Sequence, residues 1–271
     1  MKLAANLSML FTEVPLLERF GLAKEAGFDA VEIQFPYEES ISDLVKAKQK
    51  ANVDVCLINL PAGDLMQGGE GLASVPNKQA EFEEAIKLAY TYAKALDVKQ
   101  VNVLAGCCHD ASKVDIYFST FKDNLKKTAT VLAKHHIGVT FEAINTHDMP
   151  GFLIHNTQQM LDIIYELDHP NLKMQFDIYH MHIMDGNVDE LIRQHGNLIG
   201  HIQFADYPGR GEPLSGNLNF KSIFYDIQHS HYKGYVAAEY KPTTTTQESL
   251  SWMEQAELDW LKQGPEIHKN G

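Results

Sequence analysis

Eight times along the chain, a short run rich in β-branched and aliphatic residues gives way to a longer amphipathic stretch. Strand candidates fall at residues 3–8, 30–35, 53–59, 100–105, 138–144, 172–177, 200–205 and 235–240. Helical stretches lie between them, at 15–26, 41–51, 79–96, 116–135, 157–167, 188–194, 220–230 and 247–261. Strict strand–helix alternation with short connections predicts a parallel sheet, because parallel neighbours need a crossover on one face. Gly27, Gly138 and Gly234 punctuate the entries into strands, and Asn77 and Asn156 or Thr157 stand where helix caps belong. Eight units suit a closed (β/α)₈ barrel, and the 271 residues are expected to form one such domain. A doubly wound open sheet is the alternative. It calls for a glycine-rich turn after the first strand, but the chain has Met9-Leu10-Phe11-Thr12-Glu13 there.

The formal net charge of −13 disfavours a nucleic-acid partner. No apolar stretch approaches a membrane span of about 18 residues. The N-terminal run through Phe11 is broken by Asn6 and Ser8 and reads as a strand rather than a signal peptide. Cys56, Cys107 and Cys108 make a poor disulfide framework and contain no Cys-x-x-Cys pair, so a reducing cytoplasm is the expected compartment. A homo-oligomer is compatible with the chain. The long loop at residues 61–76 reads either as a lid or as a surface insertion.

In such a barrel the chemistry sits at the C-terminal ends of the strands. Glu142, Asp177, Gln203 and Glu239 occupy those ends in the last four strand candidates, 35, 26 and 36 residues apart. One βα unit takes about 30 residues, so each recurs once per unit around one half of the mouth. Buried carboxylates cost several kcal/mol each, roughly, unless paired or metal-bound. Pairing with strand-end lysines is the plain alternative. Four oxygen-bearing groups in step favour a divalent cation, and all-oxygen donors suit Mg²⁺ or Mn²⁺. Asn6 and Asn59, at the ends of strands one and three, could hydrogen-bond a substrate, and Glu32 reads as a barrel-interior acid.

The segments Ala4-Ala5-Asn6-Leu7-Ser8-Met9-Leu10-Phe11, Asn59-Leu60-Pro61-Ala62-Gly63-Asp64, Asp177-Ile178-Tyr179-His180-Met181, Gly211-Glu212-Pro213 and Glu239-Tyr240-Lys241-Pro242 resemble the hydroxypyruvate isomerase family. That family belongs to the xylose-isomerase-like TIM barrels. The resemblance runs from Leu3 to about Trp252, and the 2-oxo-tetronate isomerases are similar almost as closely. It implies an isomerase that interconverts hydroxypyruvate and tartronate semialdehyde through a metal-stabilised enediolate. Glu142 and Glu239 match the proton donor and acceptor, which also bind metal, and Asp177 matches a metal ligand. Gln203 stands where related epimerases use a histidine ligand. His180 and Arg210 match substrate-binding residues, with Asp177 and His180 expected where a strand passes into a loop.

Hydroxypyruvate is an anion, and the chain has three arginines, of which Arg19 and Arg193 fall on predicted helices. That leaves Arg210, in a loop after the seventh strand, to fork a carboxylate. Lys241 is a second candidate: two residues after Glu239, it would point the same way if the strand extends that far, and otherwise it is an exposed loop lysine. The alternatives are isomerisation or epimerisation of a four-carbon keto acid or ketose and, in a different class, metal-dependent hydrolysis of the endonuclease type. The hydrolase calls for several strand-end histidines and a basic face.

Overall fold

The computed structural model describes residues 2–253. Strands β1 (Lys2–Asn6), β2 (Ala30–Ile33), β3 (Asp54–Asn59), β4 (Gln100–Val103), β5 (Gly138–Glu142), β6 (Leu172–Asp177), β7 (Ile199–Phe204) and β8 (Tyr235–Ala238) pair in chain order, all parallel, and β8 closes onto β1. The expected closed barrel is therefore the observed fold. Helices α1 (Leu16–Glu25), α2 (Ile41–Ala51), α3 (Gln79–Leu96), α4 (Val114–Ala133), α5 (Thr157–Leu167), α6 (Ile178–Met184), α7 (Val188–His195), α8 (Phe220–His229) and α9 (Thr246–Ser249) follow the strands.

Local chemistry sets the helix starts. Asn156 caps α5 by accepting the Gln159 N–H, and Ser40 caps α2 by accepting that of Asp43. Asn77 caps nothing: it lies inside a 3₁₀ turn, and Lys78 precedes α3 without a side-chain cap. Met160, Leu161, Ile163 and Ile164 give α5 its buried face, at the spacing that aligns side chains along one side of a helix.

Strand alternation sorts the core into two layers. On β7, Ile202 and Phe204 face outward, and Phe204 meets Phe220, Phe224 and Trp252 edge to face at ring-centroid distances of 5.9, 5.2 and 5.5 Å. Each such pair contributes roughly 0.5–1.5 kcal/mol beyond area burial. Trp252 is thus shell core between barrel and helices. Trp260 and most of the expected last helix lie outside the described residues. The other β7 set, His201 and Gln203, faces inward with Asn6, Glu32, Asn102, Thr140 and Gln175, all of them buried. Beneath this polar layer, Ala4, Ala30, Cys56, Leu57 and Ala237 fill the narrow lower end.

Two expectations need correction. Several strands end one or two residues earlier than the apolar pattern suggests, because the mouth residues have already left the ladder; β8 stops at Ala238, before Glu239. The segment after Asp177 is helix α6, not a loop. Asp177 itself caps it, with Oδ1 accepting the N–H groups of Tyr179 (2.8 Å) and His180 (3.4 Å). No proline or glycine announces that start, so the pattern alone hides it.

The 61–76 loop borders the mouth and is tied down. Lys78 and the Gly71 N–H hold Asp64, and the Cys107 N–H donates to the Glu70 carbonyl at 3.0 Å. Gly106 makes this approach feasible: at φ +86°, a Cβ there would lie 2.3 Å from the Glu70 carbonyl oxygen. Among the described residues, no helix is long and apolar enough to cross a membrane.

Candidate active site

A cavity of about 500 Å³ opens at the C-terminal end of the barrel, and Glu142, Glu239, His180, Arg210, Asn59 and Lys241 all line it. Glu142 ends β5, and Asp177 ends β6. Their register is staggered: Glu142 pairs with Gln175, and Asp177 with Gln203. Strand tilt in a closed barrel produces such offsets between groups that converge at one height.

Glu142 accepts one amide N–H on each oxygen, from Asn102 and Gln175, both at 3.0 Å. Burial, then the neighbouring Asp177 charge, pushes its carboxyl up to about 7. Glu239 is ringed by donors. Its Oε1 accepts from Asn6 (2.9 Å), Gln34 (2.8 Å) and Gln203 (3.1 Å), and its Oε2 from Arg210 Nη2 (2.7 Å). Burial drives Glu239 well above the ordinary carboxylate range, against the pull of the Arg210 charge. Arg210 Nη2 also reaches Asp177 Oδ2 at 3.2 Å, and its guanidinium lies 5.3 Å from the Tyr179 ring centroid. Burial alone would lower the Arg210 pKa, but the Glu239 and Asp177 charges outweigh it and hold it above its usual value. Arg210 Nε is buried without a hydrogen-bond partner.

His180, on α6, is buried with Nε2 3.5 Å from Asp177 Oδ2. Burial pushes its imidazole down to about 4, partly opposed by Asp177, so the ring is neutral at ordinary pH. Lys241 is exposed at the rim, beyond the end of β8, and its backbone N–H donates to the Arg210 carbonyl at 2.7 Å. Asn59 Oδ1 accepts from Asn102 at 3.1 Å. Cys107 and Cys108 do not line the cavity.

The floor contains residues that strand-end reading missed. Gln175 Nε2 donates to both Glu142 Oε2 (3.0 Å) and Gln203 Oε1 (2.8 Å). Gln203 Nε2 donates to Glu32 Oε1 at 2.7 Å as well as to Glu239. Glu32 Oε2 meets His201 Nε2 at 2.5 Å. A belt of amides therefore joins Glu142 to Glu239. Gln175 and Asn102 were legible by alternation, standing two residues before Asp177 and at an inward position of β4.

The donor chemistry fits a divalent cation. Glu142 and Glu239 line the cavity, buried Asp177 joins Glu239 through Arg210 Nη2 without lining it, and both glutamates are pushed toward protonation. Gln203 presents its oxygen to Gln175 and its nitrogen to the acids, so it would ligate through oxygen only after its amide turns over. A second donor group, Glu32, Cys56 and His201, has its candidate ligand atoms within 4.8 Å of one another deeper in the barrel. Glu32 already accepts from Asn6, Gln203 and His201. We therefore read that cluster as hydrogen-bonded support beneath the upper set.

Known proteins agree with this architecture. The sequence profile of the xylose isomerase-like TIM barrel matches residues 20–256. Hydroxypyruvate isomerase of Escherichia coli is 40% identical, over 94% of this chain and 98% of that protein. The 2-oxo-tetronate isomerase of Pectobacterium atrosepticum is 36% identical, over 96% and 98%. A Brucella melitensis crystal structure described as an AP endonuclease of family 2 superposes with a TM-score of 0.90 at 36% identity, covering 93% of this chain and 98% of that one.

Proposed function

The chain belongs to the xylose isomerase-like TIM-barrel family and is an isomerase, and from that premise we propose that it interconverts hydroxypyruvate and 2-hydroxy-3-oxopropanoate (tartronate semialdehyde). The observation that carries this reading is the placement of Glu142 and Glu239 on one small cavity with Arg210 bonded to Glu239 and Asp177.

The reaction removes a proton from the hydroxymethyl carbon of the keto acid. The electron pair forms a carbon–carbon double bond, and the carbonyl oxygen takes the charge as an enediolate. A proton then returns to the former carbonyl carbon, and the hydroxyl proton passes to the neighbouring oxygen. Glu142, held near 7, is divided between acid and base at neutral pH, as suits a group that takes a proton in one direction and returns it in the other. Glu239 is the second carrier. Its four N–H donors orient both of its oxygens. The guanidinium of Arg210 and the rim ammonium of Lys241 are the cationic partners for the substrate carboxylate, and Asn59, which lines the same cavity, is a further polar contact. A divalent ion such as Mg²⁺ or Mn²⁺, held by Glu142, Asp177 and Glu239, with Gln203 joining through its oxygen once its amide turns over, would supply Lewis-acid polarisation of the substrate oxygens. The three free cysteines are consistent with a reducing cytoplasm.

A cavity of about 500 Å³ leaves room for one more hydroxymethyl carbon, which keeps a four-carbon 2-oxo acid as the second reading. Endonuclease chemistry is disfavoured by the −13 charge and by a mouth built of carboxylates and amides. The test is proton NMR in D₂O with hydroxypyruvate and four-carbon 2-oxo acids, with and without Mg²⁺ or Mn²⁺. We expect metal-dependent deuterium incorporation and product from hydroxypyruvate. Turnover confined to the four-carbon acids would transfer the assignment to them, and no exchange into any of these acids would remove the isomerase mechanism proposed here.

A further inference from the structure

We propose that Asn145 fixes His180 as the tautomer protonated at Nε2, so that a neutral imidazole N–H faces the substrate as a hydrogen-bond donor. This rests on the reading of the cavity as an isomerase site.

Asn145 lies in the loop after β5, three residues past Glu142. It is fully buried and does not line the cavity. Its Oδ1 accepts the backbone N–H groups of His147 (3.0 Å) and Asp148 (2.8 Å). The oxygen end is thereby committed, and Nδ2 must face the other way. Its two hydrogens have two acceptors: Asp148 Oδ2 at 3.0 Å and His180 Nδ1 at 2.7 Å. Turning the amide over would press Nδ2 against two N–H groups and Oδ1 against a carboxylate. The backbone N–H of Asn145 also points at His180 Nδ1, at 3.5 Å.

Two N–H donors directed at one ring nitrogen leave it as an acceptor. In a neutral imidazole the other nitrogen then carries the proton. That nitrogen, Nε2, has only a long 3.5 Å approach to Asp177 Oδ2. Its N–H is therefore free for a substrate oxygen in the cavity His180 lines. A neutral imidazole donor can polarise a carbonyl during enediolate formation. Removing one donor aimed at a developing oxyanion costs about 10²–10³ in turnover. Asn145 touches none of the reacting atoms and is a positioning residue.

The test reads the tautomer directly. Protein with ¹⁵N-labelled histidine is recorded in long-range ¹H–¹⁵N correlation spectra, and the His180 signals are assigned by their loss in His180→Gln. Wild type is expected to show a protonated Nε2 and a bare Nδ1. Asn145→Asp keeps an oxygen for the turn but replaces the donor with an acceptor. It should move the proton to Nδ1 and lower kcat about 100-fold, with KM changed only a few-fold. Asn145→Ala, a second route should the aspartate variant not fold, should leave the two tautomers mixed. A proton on Nδ1 in wild type overturns the proposal, as does a tautomer that stays unchanged in whichever variant folds. The spectra need no turnover, so a failure of the substrate assignment would leave this result readable by itself.

Discussion

Glu32 and Glu239 share two donors: the side-chain amides of Asn6 and Gln203 each donate to Oε1 of both residues, at 2.7–3.1 Å. The deeper glutamate therefore sets which face of each amide the upper one meets. Glu32→Ala would leave the N–H groups of Asn6 and Gln203 and the ring of His201 without their buried acceptor. Leaving a buried donor without its acceptor costs on the order of 1–3 kcal/mol. We expect a clear drop in the urea midpoint and at least a tenfold loss of kcat in the folded variant, with Glu32→Gln milder in both. An unchanged midpoint in Glu32→Ala would remove Glu32 from this role.

Glu142 gives the apo protein a pH signature. Its carboxyl is held up to about 7 in the fold, chiefly by burial, and lies near 4.5 when exposed. Between those values the native state binds more protons than the unfolded chain. Stability from this group is thus present in full below about pH 4.5 and is lost as pH rises through about 7. His180, lowered to about 4, works in the opposite sense below its ordinary 6.5, so the comparison must be differential. The melting temperature of wild type relative to Glu142→Gln should fall between pH 5 and 8 in EDTA. A flat difference would mean that Glu142 titrates normally.

How much of this was legible in the chain follows from what each residue depends on. The barrel was readable because both of its periodicities are local, two in the strands and 3.6 in the helices. The positions of Glu142, Asp177, Gln203 and Glu239 at or near the strand ends were readable because a polar group closing an apolar run recurs once per unit. Lys241 illustrates the limit: alternation turns it inward only if the strand runs past Glu239, but β8 ends at Ala238 and the lysine is the exposed rim residue of the other reading. The α6 helix stayed hidden because its cap, Asp177, was already read as a ligand. Asn145 carried no signal, since its importance lies in a contact with His180, 35 positions away.

Metal loading should be visible as stabilisation. An ion that binds only the folded state adds about 2.7 kcal/mol at a hundred times its Kd. We expect Mg²⁺ or Mn²⁺ to raise the melting temperature of wild type, and EDTA to reverse the rise. Asp177→Asn and Glu239→Gln should each blunt that response, because each replaces one of the two carboxyl groups that Arg210 bridges with an amide. A full metal response in the two variants would place the ion elsewhere, and the cluster of Glu32, Cys56 and His201 would be the next site to test.

Arg210 bonds Asp177 and Glu239 and, in the function proposed above, also holds the substrate carboxylate, so its replacement should separate two effects. Its Nη2 neutralises Asp177 and Glu239, and its unpartnered Nε faces no protein acceptor. Arg210→Ala removes both. The KM for hydroxypyruvate should rise at least tenfold, roughly the loss of one charge-assisted hydrogen bond to an anion. Divalent-ion affinity should move the other way and tighten, because a competing positive charge has left the carboxylates. Arg210→Lys keeps a charge but not the planar fork, and should recover little of the KM. Isothermal titration with Mn²⁺ alongside steady-state kinetics distinguishes these outcomes. A weaker Mn²⁺ affinity in Arg210→Ala would show that the guanidinium supports the ion rather than competing with it. An unchanged KM would show that the substrate carboxylate lies elsewhere, with Lys241 as the remaining cation among the described residues lining the cavity.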